Sequence, residues 1–585
     1  MADKYYTVER NVQIVISLLK AHGIRKVVAS PGTTNMTFVG SIQQDDFFQI
    51  YSSVDERSAA YIACGLAEAS GEPVVISCTG ATASRNYLSG LTEAYYRKLP
   101  VLAITSHRGD HAIGHLLDQQ IDRRSRPSDV AMESVVVPLV KDNNDEQYCI
   151  IEANKAILAL TRRGGGPAHI NMHTSYSQDF SVRDLPPVRV IRRFSPTDDK
   201  PLIPKGAKVA IFVGAHKHFS DQERAAINTF CSTNDAVVFC DHTSGYNGKY
   251  RVNYALVCGQ RYHTSPQTEM DILIHIGEVS GNSYGLRLHP KQVWRVNEDG
   301  EIRDTFRKLT TVFEMSEESF FNYYSQEQPQ NDGYLDLCRN EYAKTLENLP
   351  ELPFGNVWVA HQIHKQLPLN STIHFGILNS LRSWNFFELN PSIKSNCNVG
   401  GFGIDGGVSS LIGASLSDPG RLHFGVFGDL AFFYDMNVIG NRHVGNNLRI
   451  LLINNGKGAE FRLYSHPCSP FGEAADLYMA AAGHYGNKSP QLVKHYAEDL
   501  GYLYISASSK NEFIDASRVW LNPEKLDKPV LFEVFTDSQN ESDSLEMITS
   551  YIVDDSFKTK LKIKNTLEKI GGEKVVGFVR KVTKQ

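Results

Sequence analysis

Two apolar runs in the last third of the chain each end in a turn with an oxygen-bearing side chain. Residues 422–427 lead into Gly428-Asp429, and residues 448–453 lead on to Asn455. Short apolar runs bounded by turn residues predict buried strands, here joined through a helix. A carboxylate at one strand end and a carboxamide at the next could hold a hard divalent cation that carries phosphate oxygens. The alternative is an ordinary strand-helix-strand unit with turn glycines.

The whole chain is long enough for several domains. Its 585 residues, 42% of them hydrophobic, predict about three or four compact units. The formal net charge of -5 gives no basic surface of the kind that nucleic acids or anionic membranes attract. We therefore expect a small-molecule substrate rather than a nucleic acid or a membrane partner.

The cysteines and the N-terminal residues indicate the compartment. Nine cysteines lie scattered without a C-x-x-C pair, which argues against both a zinc site and a disulfide framework. The first 24 residues place charges directly before apolar residues at helical spacing, and no uninterrupted run reaches membrane length. These features predict a first helix rather than a targeting segment, in a cytoplasmic protein.

Residues 1–186 alternate between amphipathic helical patterns and short apolar runs, which is typical of a parallel α/β unit. The predicted elements are helix 8–22, strand 26–29, helix 57–70, strand 74–78, helix 85–97 and strand 101–105. Polar loops follow the predicted strands at residues 30–35, 55–57, 79–82 and 106–109. Ligands of open α/β sheets gather at such carboxyl ends.

Two of these loops carry titratable side chains that could take part in catalysis or substrate binding. Glu56 opens a predicted alanine-rich helix, where it could be a catalytic carboxylate or a surface charge that compensates the helix dipole. A second loop could bind substrate oxygens or shuttle protons through His107, Arg108, Asp110, His111, His115 and Gln119. A solvated loop is the alternative for its histidines.

Two proline-containing linkers divide the rest of the chain, at residues 187–200 and 348–355. The segment 200–345 predicts a second α/β unit. Because this unit lacks a G-x-G-x-x-G sequence, we expect a structural spacer without a bound flavin or nucleotide. The third unit spans 355–550, and residues 551–585 are predicted to form a Lys-rich helix and a solvated tail.

Several motifs together resemble the thiamin diphosphate-dependent enzymes. Gly428-Asp429 followed by Asn454-Asn455 is similar to the metal and diphosphate signature of that family. Asp55-Glu56-Arg57 is similar to the start of the helix that carries its cofactor-activating glutamate. Leu430 in place of a third glycine, and the run of residues 398–406, resemble the menaquinone-pathway branch, the 2-succinyl-5-enolpyruvyl-6-hydroxy-3-cyclohexene-1-carboxylate (SEPHCHC) synthases.

The resemblance implies an α/β fold of three doubly wound parallel-sheet domains, in the arrangement of thiamin diphosphate-dependent decarboxylases and carboligases. A pyrimidine-binding domain is implied at 1–186, a central domain at 200–345 and a diphosphate- and Mg²⁺-binding domain at 355–550. The implied cofactors are thiamin diphosphate and Mg²⁺, without FAD. In this family the active sites lie between chains, so a homodimer or homotetramer is implied.

The resemblance also assigns roles to residues. Asp429, the side chain of Asn455 and the backbone carbonyl of Lys457 are implied to bind Mg²⁺. Glu56 is implied to hydrogen-bond the aminopyrimidine ring and activate the cofactor, and Ile404 to bend the cofactor into a V shape. The implied cofactor-binding set is Pro31, Gly32, Gly80, Asn86, Ser380, Gly403, Ile404, Gly428, Asp429, Leu430, Asn455 and Gly458. Catalytic candidates are Glu56, Gln119 and Glu460, and substrate-binding candidates are Thr33, Thr34, His107, Arg108, Trp384, Val399 and Phe461.

The chain departs from the SEPHCHC synthases at their substrate arginines. Thr34, Trp384 and Val399 stand where that branch carries arginine, whose two-pronged guanidinium suits carboxylates. Glu460 stands where an apolar residue is common, and it could be an acid or base on the substrate side or could face solvent. These departures argue against isochorismate and 2-oxoglutarate as substrates and favour a less charged donor such as pyruvate.

The predicted function is the decarboxylation of a 2-oxo acid with transfer of the acyl unit to a carbonyl or enone acceptor. Three alternatives stay open: a simple 2-oxo-acid decarboxylase, a true SEPHCHC synthase, and an inactive regulatory subunit that keeps the cofactor fold. The presence of Glu56 argues against the inactive subunit, since a non-catalytic relative could discard that residue.

Overall fold

The computed structural model describes residues 5–123, 126–325, 332–484, 489–555 and 557. The strands in chain order are β1 (Lys26–Ala29), β2 (Gln49–Ser52), β3 (Val74–Thr79), β4 (Val101–His107), β5 (Glu133–Val137), β6 (Ala168–His173), β7 (Arg192–Phe194), β8 (Val209–Val213), β9 (Val237–Cys240), β10 (Arg251–Asn253), β11 (Glu269–Ile276), β12 (His289–Val296), β13 (Leu309–Phe313), β14 (Thr372–Phe375), β15 (Lys394–Cys397), β16 (His423–Gly428), β17 (Leu448–Asn454), β18 (Leu503–Ala507) and β19 (Val530–Phe535). The α-helices are α1 (Arg10–Ala21), α2 (Met36–Ile42), α3 (Glu56–Ser70), α4 (Thr82–Asn86), α5 (Leu88–Tyr96), α6 (Asn143–Ala159), α7 (Asp221–Asn234), α8 (Ala255–Cys258), α9 (Glu317–Tyr324), α10 (Gly333–Glu347), α11 (Asn356–Ile363), α12 (Asn379–Trp384), α13 (Gly407–Ser417), α14 (Asp429–Asp435), α15 (Ala475–Tyr478), α16 (Leu492–Asp499), α17 (Lys510–Trp520) and α18 (Ser538–Ile548).

The chain folds into two compact units, residues 1–195 with 300–312 and residues 196–299 with 313–585. The three domain ranges inferred from the sequence stay a prediction. The part of the predicted Lys-rich tail from residue 558 onward lies outside the described residues.

The first unit is built on a parallel sheet with the strand order β2-β1-β3-β4-β6-β5. Helices cover both faces of its central strands because successive strand residues point to opposite sides. Val75 and Leu102 pack with residues of α1 and α6, whereas Ile76 and Ala103 pack with residues of α3 and α5. The strand order reverses between β1 and β3, which is where open α/β sheets bind ligands at the carboxyl ends of their strands.

The second unit contains two more parallel sheets. One includes the order β10-β9-β8-β11-β12, and the other runs β15-β14-β16-β17-β19-β18, the same pattern as the sheet of the first unit. In the last sheet Gly428 pairs with Ile453, so the residues after β16 and β17 reach the same sheet edge. The predicted α/β fold with three doubly wound parallel sheets is confirmed within the described residues.

Capping and packing set the local differences between the predicted elements and the observed ones. The helix predicted to begin at residue 57 begins at Glu56, because the side chain of Asp55 caps it by accepting the N–H of Arg57 at 3.1 Å. The helix predicted over 85–97 is two helices, α4 and α5, which meet at the fully buried Tyr87. Among the described residues, no helix has the length and apolar character that crossing a bilayer requires.

Candidate active site

Asp429 lies directly after β16, as the first residue of α14. Asp429 is 5% exposed. Its carboxylate accepts hydrogen bonds from the backbone N–H groups of Leu430 at 2.7 Å and Gly456 at 2.6 Å. Burial raises the pKa of this carboxyl group to about 7, although the N–H groups lower it. Within the described ranges, no lysine or arginine forms an ion pair with this carboxylate. A bound cation would therefore stabilise the ionised form.

Asn455 follows β17 directly and places a second oxygen at the same sheet edge. Its side-chain oxygen Oδ1 is buried and has no hydrogen-bond partner among the residues that the structure describes. A buried polar atom without a partner costs free energy, so this oxygen needs a ligand. A carboxylate, a carboxamide oxygen and a nearby backbone carbonyl are the hard donors that Mg²⁺ prefers. The residues present therefore fit this ion.

A small cavity adjoins Asp429. Its lining consists of Asp429, Leu430, Phe433, Gly456, Lys457, Ala481 and His484. The ammonium group of Lys457 pairs with Asp476 at 2.7 Å, so its side chain is held by another partner and only its backbone carbonyl is a candidate ligand.

The other cofactor-binding candidates of the second unit lie in loops and helix starts around this edge. Gly458 donates its N–H to the carbonyl of Ala480 at 2.6 Å, which fixes the loop after the candidate metal ligands. Ser380 is buried in α12. Ile404 is half-buried and Gly403 is exposed, in the loop between β15 and α13.

Glu56 is half-buried in the first turn of α3. One of its carboxylate oxygens accepts a hydrogen bond from the side-chain amide of Asn86 at 3.1 Å. The structure therefore brings these two predicted residues of the first unit into contact. The Asn86 amide fixes one oxygen of Glu56, and the carboxylate remains accessible to a ligand.

Two glycines of the first unit permit backbone approaches that a side chain would block. A Cβ at Gly32 would lie 2.0 Å from the methyl carbon of Thr79, and a Cβ at Gly80 would lie 2.7 Å from the carbonyl oxygen of Ser106. Pro31 and Gly32 themselves are exposed at the end of β1. These carboxyl-end loops are therefore packed closely against each other, as the predicted cofactor cradle requires.

The substrate-binding candidates of the first unit differ in their surroundings. Thr33 is exposed, whereas Thr34 is buried. His107 is 5% exposed, and its pKa is lowered to about 3 by burial and by the nearby charge of Arg123. Its Nε2 is 2.8 Å from the side-chain amide of Asn171. His107 is therefore neutral at pH 7.

The polar loop after β4 is only partly exposed. Arg108 donates to the hydroxyl of Tyr176 at 2.8 Å and forms an ion pair with Asp118 at 3.2 Å. Gln119 is exposed and has a positive φ of 57°. His111 and His115 are exposed, which agrees with the solvated-loop alternative for these two histidines.

Trp384 and Val399 lie in the hydrophobic core of the second unit, which differs from the expectation that they contact substrate. Trp384 is 0% exposed and packs against Phe375, with ring centroids 5.3 Å apart. Val399 is 3% exposed and faces Gly281, where a Cβ would lie 2.7 Å from its side chain. Apolar side chains at these positions are drawn into the core.

Glu460 forms a two-pronged ion pair with Arg382. The guanidinium group donates to the two carboxylate oxygens at 2.6 and 3.0 Å, and it also donates to the side-chain oxygen of Asn379 at 2.9 Å. Both charged side chains are only 17% exposed. Glu460 therefore does not face solvent, and its carboxylate already has a strong partner. The neighbouring Phe461 is half-buried.

Two residues of this region were not found from the sequence. Glu541, in α18, is a buried carboxylate close to Asp429, whose pKa it helps to raise. Arg382 is the partner of Glu460. Both contacts join segments far apart in the chain, and no local motif marks either of them. The only sequence signal was the presence of Arg382 near the position where the branch carries its arginine.

Comparison with known proteins agrees with this geometry. Residues 10–125 match the model of the thiamine pyrophosphate (thiamin diphosphate) enzyme, N-terminal TPP binding domain. A 2-succinyl-5-enolpyruvyl-6-hydroxy-3-cyclohexene-1-carboxylate synthase of Bacteroides thetaiotaomicron is 31% identical over 557 residues, 92% of this chain and 98% of the relative. Synthases of the same name from Phocaeicola vulgatus and Flavobacterium johnsoniae are 30% and 27% identical, over 92% and 90% of this chain and 97% and 95% of the relatives.

These matches cover nearly the whole chain and confirm the resemblance that its motifs carry. The chain belongs to the thiamin diphosphate-dependent enzyme family.

Proposed function

We propose that this enzyme removes carbon dioxide from a 2-oxo acid and joins the remaining acyl unit to an acceptor, as a carboligase. The observation that carries the proposal is the similarity, over nearly the whole chain, to synthases whose name describes a succinyl group attached to a cyclohexene carboxylate. That name supports a 2-oxo acid with a distal carboxylate as the donor. The similarity thus favours the SEPHCHC synthase alternative over the pyruvate reaction expected from the missing arginines.

The residues of the chain divide the work of holding the cofactor. Asp429, Asn455 and the carbonyl of Lys457 would bind Mg²⁺, which neutralises the diphosphate. Glu56, held by Asn86, would form a hydrogen bond with a ring nitrogen of the aminopyrimidine. When bound, thiamin diphosphate supplies the nucleophilic carbon and the electron sink that decarboxylation of a 2-oxo acid needs.

A less charged donor such as pyruvate is the second candidate, and the ion pair between Arg382 and Glu460 favours it. A substrate carboxylate could use the Arg382 guanidinium only by displacing Glu460, because both prongs of the fork are already engaged. Replacing Glu460 with Gln would release the fork. If the pair excludes a distal carboxylate, Glu460→Gln should raise the ratio of kcat/KM for 2-oxoglutarate to that for pyruvate by about tenfold. An unchanged ratio would contradict this candidate.

We also propose that the active enzyme is a homodimer or homotetramer, because this family builds its site from two chains. Light scattering at assay concentrations should give a mass of two or four chains. A fully active monomer would contradict this assembly.

The function is tested by product analysis. The protein with thiamin diphosphate and Mg²⁺ is incubated with 2-oxoglutarate or pyruvate, each with and without isochorismate and a panel of aldehydes, ketones and enones. Carbon dioxide release and products are followed by mass spectrometry. Acceptor-dependent release with a joined product is expected. An aldehyde that forms at the same rate whatever acceptor is present would overturn the proposal in favour of a simple decarboxylase.

A further inference from the structure

Arg123, in the first unit, carries a guanidinium group whose hydrogen-bond partners in the described residues are neutral. It follows the polar loop after β4 and is half-buried. Its Nη1 donates to the hydroxyl of Thr105 at 2.7 Å, and its Nη2 donates to the side-chain oxygen of Asn171. Within the described part of the chain it forms no ion pair with a carboxylate. Charges that are drawn out of water are ordinarily paired, so this guanidinium group lacks a counter-ion.

The electrostatic surroundings of Arg123 leave an excess of positive charge. Burial lowers the pKa of its guanidinium group to about 10, and the nearby charge of Arg85 also lowers it. The group is therefore still charged at pH 7. Asp110 acts in the opposite direction, but its carboxylate lies beside His107, 3.7 Å from Nε2. His107 and His169 are neutral, because burial lowers the pKa of each to about 3.

A cavity of about 40 Å³ adjoins Arg123 and is lined by residues of α4, α5, β4 and β6. Its described lining contains three arginines and no aspartate or glutamate; the arginines are Arg85, Arg123 and Arg126. Leu91 and Ala131 supply part of its apolar surface. A single water needs about 10 to 15 Å³ of such a volume, so the cavity has room for a group of about three heavy atoms. A carboxylate has this size.

We propose that this cavity is an anion-binding site, in which Arg123 takes the carboxylate group of a small organic acid. A guanidinium group offers a planar pair of N–H donors that matches the two oxygens of a carboxylate. The hydrogen bonds to Thr105 and Asn171 hold Arg123 in one orientation. Less ordering is then needed when an anion binds.

Arg123 also lies at the sheet edge that carries cofactor-binding candidates of the first unit. Thr105 and Asn171 are near the carboxyl ends of β4 and β6. A Cβ at Gly80 would lie 2.9 Å from Nη2 of Arg123. The acid is therefore either the donor substrate or a separate carboxylate that binds beside it. The inference does not rest on the proposed function, because the cavity lining includes none of the candidate cofactor or metal ligands.

The test measures the binding of succinate and acetate by calorimetry at constant ionic strength, with and without thiamin diphosphate and Mg²⁺. Arg123→Gln loses the charged donors, so carboxylate binding should weaken by about 10- to 100-fold. Arg10→Gln is the matched control and should bind within about twofold of the wild type. Arg10 is a half-buried arginine of the same unit, but it pairs with Glu146 at 2.5 Å and does not line the cavity. A wild type that binds neither acid, or equal weakening in both variants, would overturn the inference.

Ala131→Val gives a second readout that does not require Arg123→Gln to fold. Ala131 is 7% exposed and lines the cavity. Two added methyl groups would occupy part of the cavity while every charge stays in place. Carboxylate binding should therefore weaken by about tenfold or more. Binding as tight as that of the wild type would overturn the inference, because the cavity would then not be the site.

Steady-state kinetics distinguish the two sources of the carboxylate. If it belongs to the donor, Arg123→Gln should lower kcat/KM for 2-oxoglutarate about tenfold more than for pyruvate, which lacks a distal carboxylate. If it belongs to a separate acid, succinate should change the wild-type rate, and Arg123→Gln should lose this response. A donor preference and a succinate response that both match the wild type would overturn the inference. Carboxylate binding by a protein that forms no joined product would contradict the proposed function alone.

Discussion

The two regions that carry the principal candidate residues, around Asp429 and around Glu56, are built differently. Asp429 is buried at a strand end, is fixed by two backbone N–H groups and lies beside an asparagine whose oxygen lacks a partner in the described residues. Glu56 is half-buried in a helix turn, with the Asn86 amide on one of its oxygens. The first region therefore offers fixed, buried oxygen atoms. The second region presents an accessible carboxylate. A residue that contacts a ligand must be accessible in this way.

The largest expected effect follows from removing the buried carboxylate. Asp429→Asn should abolish the rise in melting temperature that thiamin diphosphate with Mg²⁺ produces, and should lower turnover by about a thousandfold or more, because the ion loses its charged ligand. Differential scanning fluorimetry and a product assay measure both. The half-buried Asp418→Asn, whose carboxylate pairs with Arg421 and lies outside the candidate site, is the control and should keep both properties. If the melting temperature of Asp429→Asn still rose with the ligands as it does in the wild type, the proposed difference between the two regions would be contradicted.

A smaller and more selective effect is expected at the other carboxylate. Glu56→Gln should keep the cofactor-induced rise in melting temperature but lower kcat by about 10²- to 10⁴-fold, since the altered group binds without activating. The exposed Glu68→Gln, on the same helix, should retain activity. Full turnover by Glu56→Gln would remove this residue from the mechanism. If Glu56→Gln lost cofactor binding, both regions would instead serve to hold the cofactor.

The smallest expected effect concerns acid stability of the first unit. Burial lowers the pKa of His107 from 6.5 to about 3, so between these pH values the unfolded chain binds a proton that the folded chain does not. Stability from this histidine is present above pH 6.5 and is lost as the pH falls. His107→Gln should lessen the loss between pH 7 and 5 by about 2 kcal/mol. Urea unfolding at several pH values measures this, and a pH dependence identical to the wild type would contradict it.

A control for His107→Gln lies in the same loop. His111 is exposed, so His111→Gln should leave the pH dependence of unfolding unchanged. If both variants reduce the pH dependence of the unfolding free energy equally, the burial of His107 is not the cause of that dependence.

The local sequence pattern was sufficient to predict the strands that carry the candidate residues. The strand 26–29 was predicted with the bounds observed for β1, and the predicted ends after Phe427 and Ile453 lie within one residue of the ends of β16 and β17. Apolar runs and turn glycines act over a few residues, so a single sequence reveals them. The parallel register then brings Asp429 and Asn455 together without further information.

Contacts between segments far apart in the chain could not be predicted from the sequence. Trp384 and Val399 were expected at the substrate on the strength of the motif resemblance, yet both are buried in the core. The pairing of Glu460 with Arg382 depends on how separate helices and loops pack. No periodicity encodes such pairs, because their partners are chosen by the tertiary fold.

The most direct test of the account is whether thiamin diphosphate needs Mg²⁺ to bind. Chelator-stripped protein is titrated with thiamin diphosphate, with Mg²⁺, and with both, while the melting temperature is recorded. The account predicts a shift of several degrees only with both ligands, since about 100 Kd of a ligand stabilises by about 2.7 kcal/mol. The same shift with thiamin diphosphate in excess chelator would contradict the claim that Asp429 and Asn455 hold the cofactor through a metal ion.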